Sequence, residues 1–190
     1  GEVVGKYHKR LLPNNTVFDE QRYFTAGHDS DPLELYRIGG VKVGVSVCED
    51  IWSPWGPVAE QAAAGAELNI NINGSPFAVQ KGQRRERMLA TRATDAHCAI
   101  VYVNQVGGQD ELVFDGGSLA FDHEGTLLAR APQFAESLTI VDVPVPPVYR
   151  KRLLDPRGRA TQAMLPVIEV TDTPVAQSEP LATPIAEPYE

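Results

Sequence analysis

The stretch that most constrains the fold is an alternating apolar segment that ends in a cysteine. Residues 41–47 alternate valine with small or polar residues, and this period of two predicts a β-strand. Cys48 follows at the carboxyl end of the strand, and Glu49 and Asp50 then favour a turn or helix start, because carboxylates suit exposed N–H groups. Such a bend holds a thiol at the rim of a sheet, where other hydrolases present a nucleophile. The alternative is that Cys48 is a small buried core residue, the commoner fate of a free cysteine.

The acidic neighbours of Cys48 require a compensating cation. Glu49 and Asp50 disfavour a thiolate, so a positive charge from elsewhere in the chain would have to lower the pKa of the thiol. The loop at 6–24 offers Lys6, Lys9 and Arg10, and its apolar and aromatic residues would anchor it on a core. Taken singly, each of these cations is typical of a solvated surface. An anchored loop, however, could hold one of them beside the thiol.

The overall composition excludes several classes of protein. The chain has 190 residues with a net charge of -8 and no basic block, which argues against a nucleic-acid-binding surface. No apolar run reaches membrane-spanning length, so we expect no membrane association. Cys48 and Cys98 are the two cysteines, so no disulfide framework is indicated and a reducing cytoplasm fits. The four histidines lack paired spacing, and no metal site is expected.

Further strands and helices alternate along the chain. Gly39 and Gly40 turn one short strand into the next, which predicts a hairpin. The predicted strands are 33–38, 41–47, 67–73, 99–106, 112–122, 126–131 and 137–143, and the predicted helices are 58–65 and 81–97. The strand at 112–122 is expected to pair with 126–131. This order predicts an α/β sandwich with a mixed sheet.

The helix predicted at 81–97 carries two distinct sets of side chains. Its inner stripe is expected to contain Met88, Leu89, Ala93 and Ala96. Its arginines, Arg84, Arg85 and Arg87, are expected to be solvated together with Glu86 rather than to form a phosphate site.

The composition and periodicity of the sequence change at Pro144. Residues 144–190 contain nine of the fifteen prolines, and their last twenty residues lack periodicity. We therefore predict a domain at 1–143 followed by an extended proline-rich linker at 144–190. We expect the chain to be a piece of a longer protein that extends at both ends.

Four segments carry a family resemblance in combination. They are K-x-x-L-P with F-D-E-x-R-Y-F at 9–13 and 18–24, C-E-D-I-W at 48–52, S-P-F at 75–77, and V-F-D-G-G-S at 113–118. Together they resemble the nitrilase superfamily of carbon–nitrogen hydrolases and, more narrowly, the glutaminase domains of glutamine-dependent NAD synthetases. The resemblance covers 1–143, and the tail is similar to the linker that leads to an ATP-using synthetase domain.

The resemblance implies a nitrilase-like α-β-β-α sandwich, present here in part, and a Glu-Lys-Cys triad. Cys48 would be the nucleophile, and Lys9 would be the triad lysine that lowers the pKa of the thiol and stabilises the oxyanion. The general-base glutamate of the family lies well before the lysine segment, so we expect it to be absent from this chain. Glu20 and Glu49 would orient Lys9 or the substrate.

The resemblance also implies a substrate and partners. L-glutamine would bind at Ser75, Lys81, Phe18 and Glu49, and at Asn15, where the family commonly has a tyrosine. No cofactor is expected in this chain; ATP and Mg²⁺ would belong to a synthetase domain in cis that accepts the ammonia. The full-length parent is expected to be a cytoplasmic homo-oligomer. Two alternatives stay open: a stand-alone amidase acting on another small amide, and a catalytically inactive fragment.

Overall fold

A seven-stranded mixed sheet organises the chain. The computed structural model describes residues 1–27, 31–155, 164–176, 179, 183 and 185–189. The strand order is β8-β7-β4-β3-β2-β1-β9, and a separate hairpin is formed by β5 and β6. The strands are β1 Leu35–Ile38, β2 Val41–Val47, β3 Leu68–Asn73, β4 Ala99–Asn104, β5 Val106–Gln109, β6 Leu112–Asp115, β7 Leu119–Phe121, β8 Leu127–Arg130 and β9 Val167–Glu169. The helices are α1 Pro57–Ala63, α2 Lys81–Ala96 and α3 Pro146–Leu154.

The centre of the sheet is parallel and its flanks are mixed. Strands β2, β3 and β4 run parallel, with Val45 opposite Ile70 and Ile70 opposite Val101. Strand β1 pairs antiparallel with β2, which confirms the predicted hairpin, and β7 pairs antiparallel with β4. Because β2 and β3 are parallel neighbours, their carboxyl ends meet at one edge of the sheet. The residues that follow them, Cys48 and Gly74, are therefore neighbours in space.

Helices α1 and α2 pack on one face of the sheet. Leu89 and Ala93 of α2 are fully buried against Ile100, Tyr102 and Phe121, which confirms the core of the predicted inner stripe. The other two stripe residues are partly buried; Met88 packs on this cluster and Ala96 on a second one. The apolar stripe of α2 thus secures the helix on the strands that lie beside the Cys48 edge.

A buried polar layer lies between α1 and the sheet. Ser46 donates to Asn69 (2.9 Å), Asn69 donates to Gln61 of α1 (2.7 Å), and Gln61 donates to the Val45 carbonyl (2.9 Å). Asn71 donates in turn to Ser46 (2.9 Å). The alternation in β3 therefore buries its asparagines on the helical face, where these bonds compensate for their lost hydration.

The opposite face of the same sheet is apolar and half exposed. Ile72 of β3 is 53% exposed and its register neighbour Val103 of β4 is 43% exposed. The mixed α/β class and the mixed sheet agree with the prediction. The part of the chain that the structure describes forms one large sheet with one helical layer, which corresponds to one half of the expected sandwich. No described helix is both long and apolar enough to cross a membrane.

Two predicted strands are divided differently in the structure. The segment predicted at 112–122 splits into β6 and β7. Strand β7 pairs with β8, as predicted for 126–131, whereas β6 pairs with β5. The break follows from Gly116 and Gly117, whose φ values of 65° and 61° lie in the left-handed region and end the extended backbone. The strand predicted at 99–106 ends at Asn104, because the chain turns there into the β5–β6 hairpin.

The prediction of a strand at 137–143 is wrong. The segment lies outside the described strands, and Leu138 there is 90% exposed. The prediction of a purely extended tail is also wrong for two stretches. Helix α3 begins at Pro146, a residue suited to the first helical turn, and buries Val148, while β9 pairs with β1. Residues 156–163 and some later residues of the tail lie outside the described residues. The domain boundary at Pro144 stays a prediction.

Candidate active site

Cys48 occupies a sharp bend at the carboxyl end of β2. It begins the short 3-10 helix Cys48–Ile51, which confirms the strand-to-helix bend expected from the sequence. Its φ is 47°, in the left-handed region that residues other than glycine rarely adopt. Backbone strain of this kind clusters at active sites, and the thiol is partly exposed rather than enclosed in the core.

Asp50 ties the N-terminal loop to this bend. Its buried carboxylate accepts hydrogen bonds from the backbone N–H groups of Val47 (3.0 Å), Arg10 (3.2 Å) and Leu11 (2.8 Å), and from the Tyr7 hydroxyl (2.6 Å). Burial and this last bond raise the pKa of Tyr7. Sequence reasoning treated Asp50 as a charge that opposes a thiolate and that favours a helix start. The structure gives it a positioning role, because it fixes the residues on either side of Lys9.

Lys9 is held by Glu20. Its Nζ lies 2.7 Å from Oε1 and 2.5 Å from Oε2 of that carboxylate, and both side chains are largely buried. Glu20 itself begins the 3-10 helix Glu20–Arg22 of the same loop. The contact agrees with the prediction that Glu20 orients Lys9. It also occupies both oxygens of Glu20.

The electrostatic balance at Cys48 favours the neutral thiol. Burial raises the pKa of Cys48, and the carboxylates of Glu49 and Glu20 raise it further. The charge of Lys9 and a hydrogen bond from the Gly74 backbone N–H lower it, without reversing the net upward shift. The structure thus places Lys9 close enough to the thiol for its charge to lower the thiol pKa.

The loop after β3 lies beside Cys48, as the parallel register requires. Ser75 is buried, and its backbone N–H donates to Asn104 Oδ1 at 2.9 Å. The Asn104 amide donates back to the Ser75 carbonyl at 3.2 Å. This pair of bonds fixes the loop at Ser75, directly after Gly74, whose backbone N–H lowers the pKa of Cys48.

Two charged groups of the predicted binding set also face this site. Lys81, at the start of α2, donates to the Pro76 carbonyl at 2.9 Å. Burial lowers the pKa of Lys81, the charge of Arg85 adds to that shift, and Cys48 acts in the opposite direction. Burial raises the pKa of Glu49, against the charge of Lys9. Glu49, Lys81, Lys9 and Cys48 therefore form one electrostatically connected group.

Asn15 and Phe18 lie at the two ends of a turn in the N-terminal loop. The Phe18 N–H donates to the Asn15 carbonyl at 3.0 Å. Phe18 is partly buried and Asn15 is exposed, so the Asn15 side chain is on the solvent side of the turn. Their contacts with a substrate stay predictions.

The prediction that Arg85 is solvated is wrong. Arg85 is 2% exposed and forms a two-pronged ion pair with Asp115, itself 1% exposed, at 2.7 and 2.8 Å. Arg85 shares the inner stripe of α2 with Leu89 and Ala93, at positions i, i+4 and i+8, and this spacing was the signal in the sequence. Arg84 and Arg87 are exposed, as expected.

Comparison with known proteins gives a consistent family assignment. The family model described as carbon-nitrogen hydrolase matches residues 1–152. A glutamine-dependent NAD(+) synthetase of Aquifex aeolicus is 49% identical over 159 residues, which cover 84% of this chain and 28% of that protein. The chain thus spans about a quarter of the length of the curated relatives it matches.

Solved structures agree with this assignment. A glutamine-dependent NAD+ synthetase from Acinetobacter baumannii, in complex with ADP, superposes with a TM-score of 0.70 at 42% identity, covering 74% of this chain and 26% of that chain. A mutant of the amidase from Nesterenkonia sp. AN1 superposes with a TM-score of 0.58 at 27% identity, covering 66% of this chain and 45% of that chain. That amidase carries the acetamide moiety of fluoroacetamide on its active-site cysteine.

Proposed function

Because the chain belongs to the carbon–nitrogen hydrolase family, we propose that its site hydrolyses the side-chain amide of L-glutamine through a thioester on Cys48. The membership confirms the resemblance found in the sequence motifs. The observation that carries the proposal is the left-handed bend that presents Cys48 at the carboxyl end of β2, beside the Gly74 that follows β3. The charge of Lys9 acts there to lower the pKa of the thiol. These are the parts that a thiol nucleophile and its oxyanion require.

The reaction would proceed in two steps. The Cys48 sulfur attacks the amide carbon, its proton passes to the departing nitrogen, the carbon–nitrogen bond breaks, and ammonia leaves a γ-glutamyl thioester. Water then attacks the thioester, the carbon–sulfur bond breaks, a proton returns to sulfur, and glutamate is released. Lys9 and the backbone N–H of Glu49 would stabilise the oxyanion in both steps.

A carboxylate must carry the proton in both steps. Both carboxylate oxygens of Glu20 accept hydrogen bonds from Lys9, so we assign Glu20 an orienting role rather than that of the general base. We propose that the general base is a glutamate supplied from outside these 190 residues, as the family motif implies.

The charges around Cys48 suit the two ends of free glutamine. The Lys81 ammonium would pair with the α-carboxylate, and the Glu49 carboxylate would pair with the α-ammonium. Ser75, Phe18 and Asn15 would complete the pocket. Glutamine is thereby distinguished from simple amides, which lack both charges.

The names of the relatives support a larger role for the parent protein. We propose that the ammonia passes to a synthetase domain in cis, which uses ATP and Mg²⁺ to convert deamido-NAD to NAD. We further propose a cytoplasmic homo-oligomer. None of the residues described above is assigned to the ATP-dependent step.

A second candidate is a stand-alone amidase, favoured by the superposition on the Nesterenkonia amidase. A third is a catalytically inactive piece of the family fold, consistent with the missing base. Labelling of Cys48 separates the three. We expect the diazoketone analogue of L-glutamine to alkylate Cys48, with protection by free glutamine and no steady-state ammonia release.

The other outcomes are equally specific. Labelling by fluoroacetamide that glutamine does not block would support the amidase. No selective labelling at Cys48 would support an inactive piece. Steady-state ammonia release from glutamine by the purified chain would show that the base lies within it.

A further inference from the structure

Helix α2 carries two arginines with largely buried side chains that lie two turns apart. Arg85 and Arg92 are separated by seven residues, with the fully buried Leu89 between them. Each arginine leaves the helix toward a different segment of the site. Their guanidinium groups bind backbone carbonyls. These acceptors are present whatever side chains the two loops carry.

Arg85 binds the loop that contains Ser75. One of its terminal nitrogens donates to the carbonyls of Ser75 (3.0 Å) and Pro76 (3.2 Å), and lies 3.3 Å from the Ser75 hydroxyl. Asp115 holds the guanidinium in place through both carboxylate oxygens. Burying such a pair is costly unless its hydrogen bonds are well satisfied, so its main contribution is to specify a geometry rather than to add stability.

Arg92 binds the Cys48 bend. Its Nε donates to the Ile51 carbonyl at 3.1 Å, and a terminal nitrogen donates to the Trp52 carbonyl at 2.8 Å. These carbonyls belong to the carboxyl end of the 3-10 helix that starts at Cys48. A cation at this end satisfies carbonyls that lack a partner within the helix.

We propose that Arg85 and Arg92 are positioning residues that hold the Ser75 loop and the Cys48 bend at a fixed separation. Seven residues of α-helix set about 10 Å between their attachment points, and the helix is rigid over that length. The inference rests on the proposed function only where it takes Ser75 as a contact for glutamine. Helix α2 then sets the position of the Ser75 loop relative to the reacting sulfur.

The test compares two electrophiles on the 190-residue chain. For Arg85→Met we expect the rate of Cys48 alkylation by the diazoketone analogue of glutamine to fall about tenfold, with iodoacetamide alkylation within about twofold of wild type. For Arg92→Met we expect both rates to fall, because the bend itself shifts. Arg85→Lys should recover part of the lost selectivity. Arg87→Met, an exposed arginine of the same helix, is the matched control and should change neither rate.

A spectroscopic readout is independent of glutamine. Cys48 labelled with bromotrifluoroacetone should give one narrow fluorine NMR signal in the wild-type chain, and a shifted or second signal in Arg85→Met and Arg92→Met. Unchanged rate ratios together with an unchanged signal would overturn the inference. A wild-type chain that does not prefer the glutamine analogue overturns the proposed function instead, while the fluorine signals still decide the positioning role. Should Arg85→Met unfold, Arg85→Lys and Asp115→Asn are compared in the same two measurements.

Discussion

The two cysteines of this chain lie at opposite ends of the parallel strands in the centre of the sheet. Cys48 follows the carboxyl end of β2, whereas Cys98 precedes the amino end of β4. Both lie near a cation, Lys9 in one case and Arg152 in the other. Yet Cys98 is fully buried with Leu35, Ala62 and Ala66, as predicted, and burial raises its pKa to about 12.

A nearby cation therefore does not make a cysteine a nucleophile. Cys48 differs in its partial exposure, in its left-handed backbone and in the loops that converge on it. Loops after parallel strands gather at the carboxyl edge, which is where sites of open α/β sheets form. The amino edge that holds Cys98 is instead closed by α3, since Arg152 donates to the Ala66 and Ala96 carbonyls.

The largest expected effect separates the two thiols directly. Cys48→Ala should abolish alkylation by the glutamine analogue, whereas Cys98→Ala should leave its rate within about twofold of wild type because the second thiol is enclosed. Peptide mass spectrometry after labelling measures both. Modification of Cys98 in the folded chain at a comparable rate would contradict the contrast between the two edges.

The next effect concerns the carboxylate that builds the Cys48 edge. Asp50→Asn replaces an acceptor oxygen by a donor amide facing backbone N–H groups, and we expect a loss of about 2 kcal/mol in the free energy of unfolding. Urea denaturation followed by circular dichroism measures it. Glu136→Gln, an exposed change far from this loop in the sequence, is the control. An unchanged midpoint for Asp50→Asn would show that the N-terminal loop is not anchored through this residue.

A smaller effect is expected from the charge beside Cys48. Lys9→Met removes the cation that lowers the thiol pKa and leaves Glu20 uncompensated, so the rate of iodoacetamide alkylation near pH 8 should fall about tenfold. The rate should recover as the pH rises through the higher pKa. Lys6→Met, exposed in the same loop, is the control. An identical pH profile for Lys9→Met and wild type would exclude Lys9 as the activating charge.

The last effect tests the enclosed thiol through stability and is confined to alkaline pH, with no change expected near neutrality. The folded-state pKa of Cys98 is raised from 9.0 to about 12, so the unfolded chain ionises first and stability falls as the pH rises from 9.0 toward 12. Cys98→Val removes this group, and its urea midpoint should decline less over that interval than that of wild type. Equal declines would mean that Cys98 does not contribute to the alkaline loss of stability.

The local pattern of residues predicted most of the elements and the candidate nucleophile. The alternation at 41–47, the glycines at 39–40 and the stripe of α2 act over short distances, and so can be read from neighbouring positions. The motifs added Lys9, Ser75 and Lys81, which the structure places around the Cys48 site.

Other features depended on contacts that are distant in sequence. The alternation of β3 predicted a strand, but only its neighbours decided that the asparagines, rather than the isoleucines, face the helices. The alternation at 137–143 predicted a strand, but the segment pairs with none of the described strands, which the local pattern cannot reveal. Arg85 was expected to be solvated, and the loop that Asp50 anchors was not foreseen, because the buried partners of both residues are distant in sequence.

The amino-acid sequence alone thus settled where the backbone can extend, turn or coil, and which residue types could carry the chemistry. Tertiary structure decided which cysteine is enclosed and which is presented, because burial and charge neighbours come from segments as far apart as Tyr7 and Asp50, or Arg85 and Asp115. Local propensities involve a few adjacent residues, whereas desolvation and ion pairing depend on everything that packs around a group.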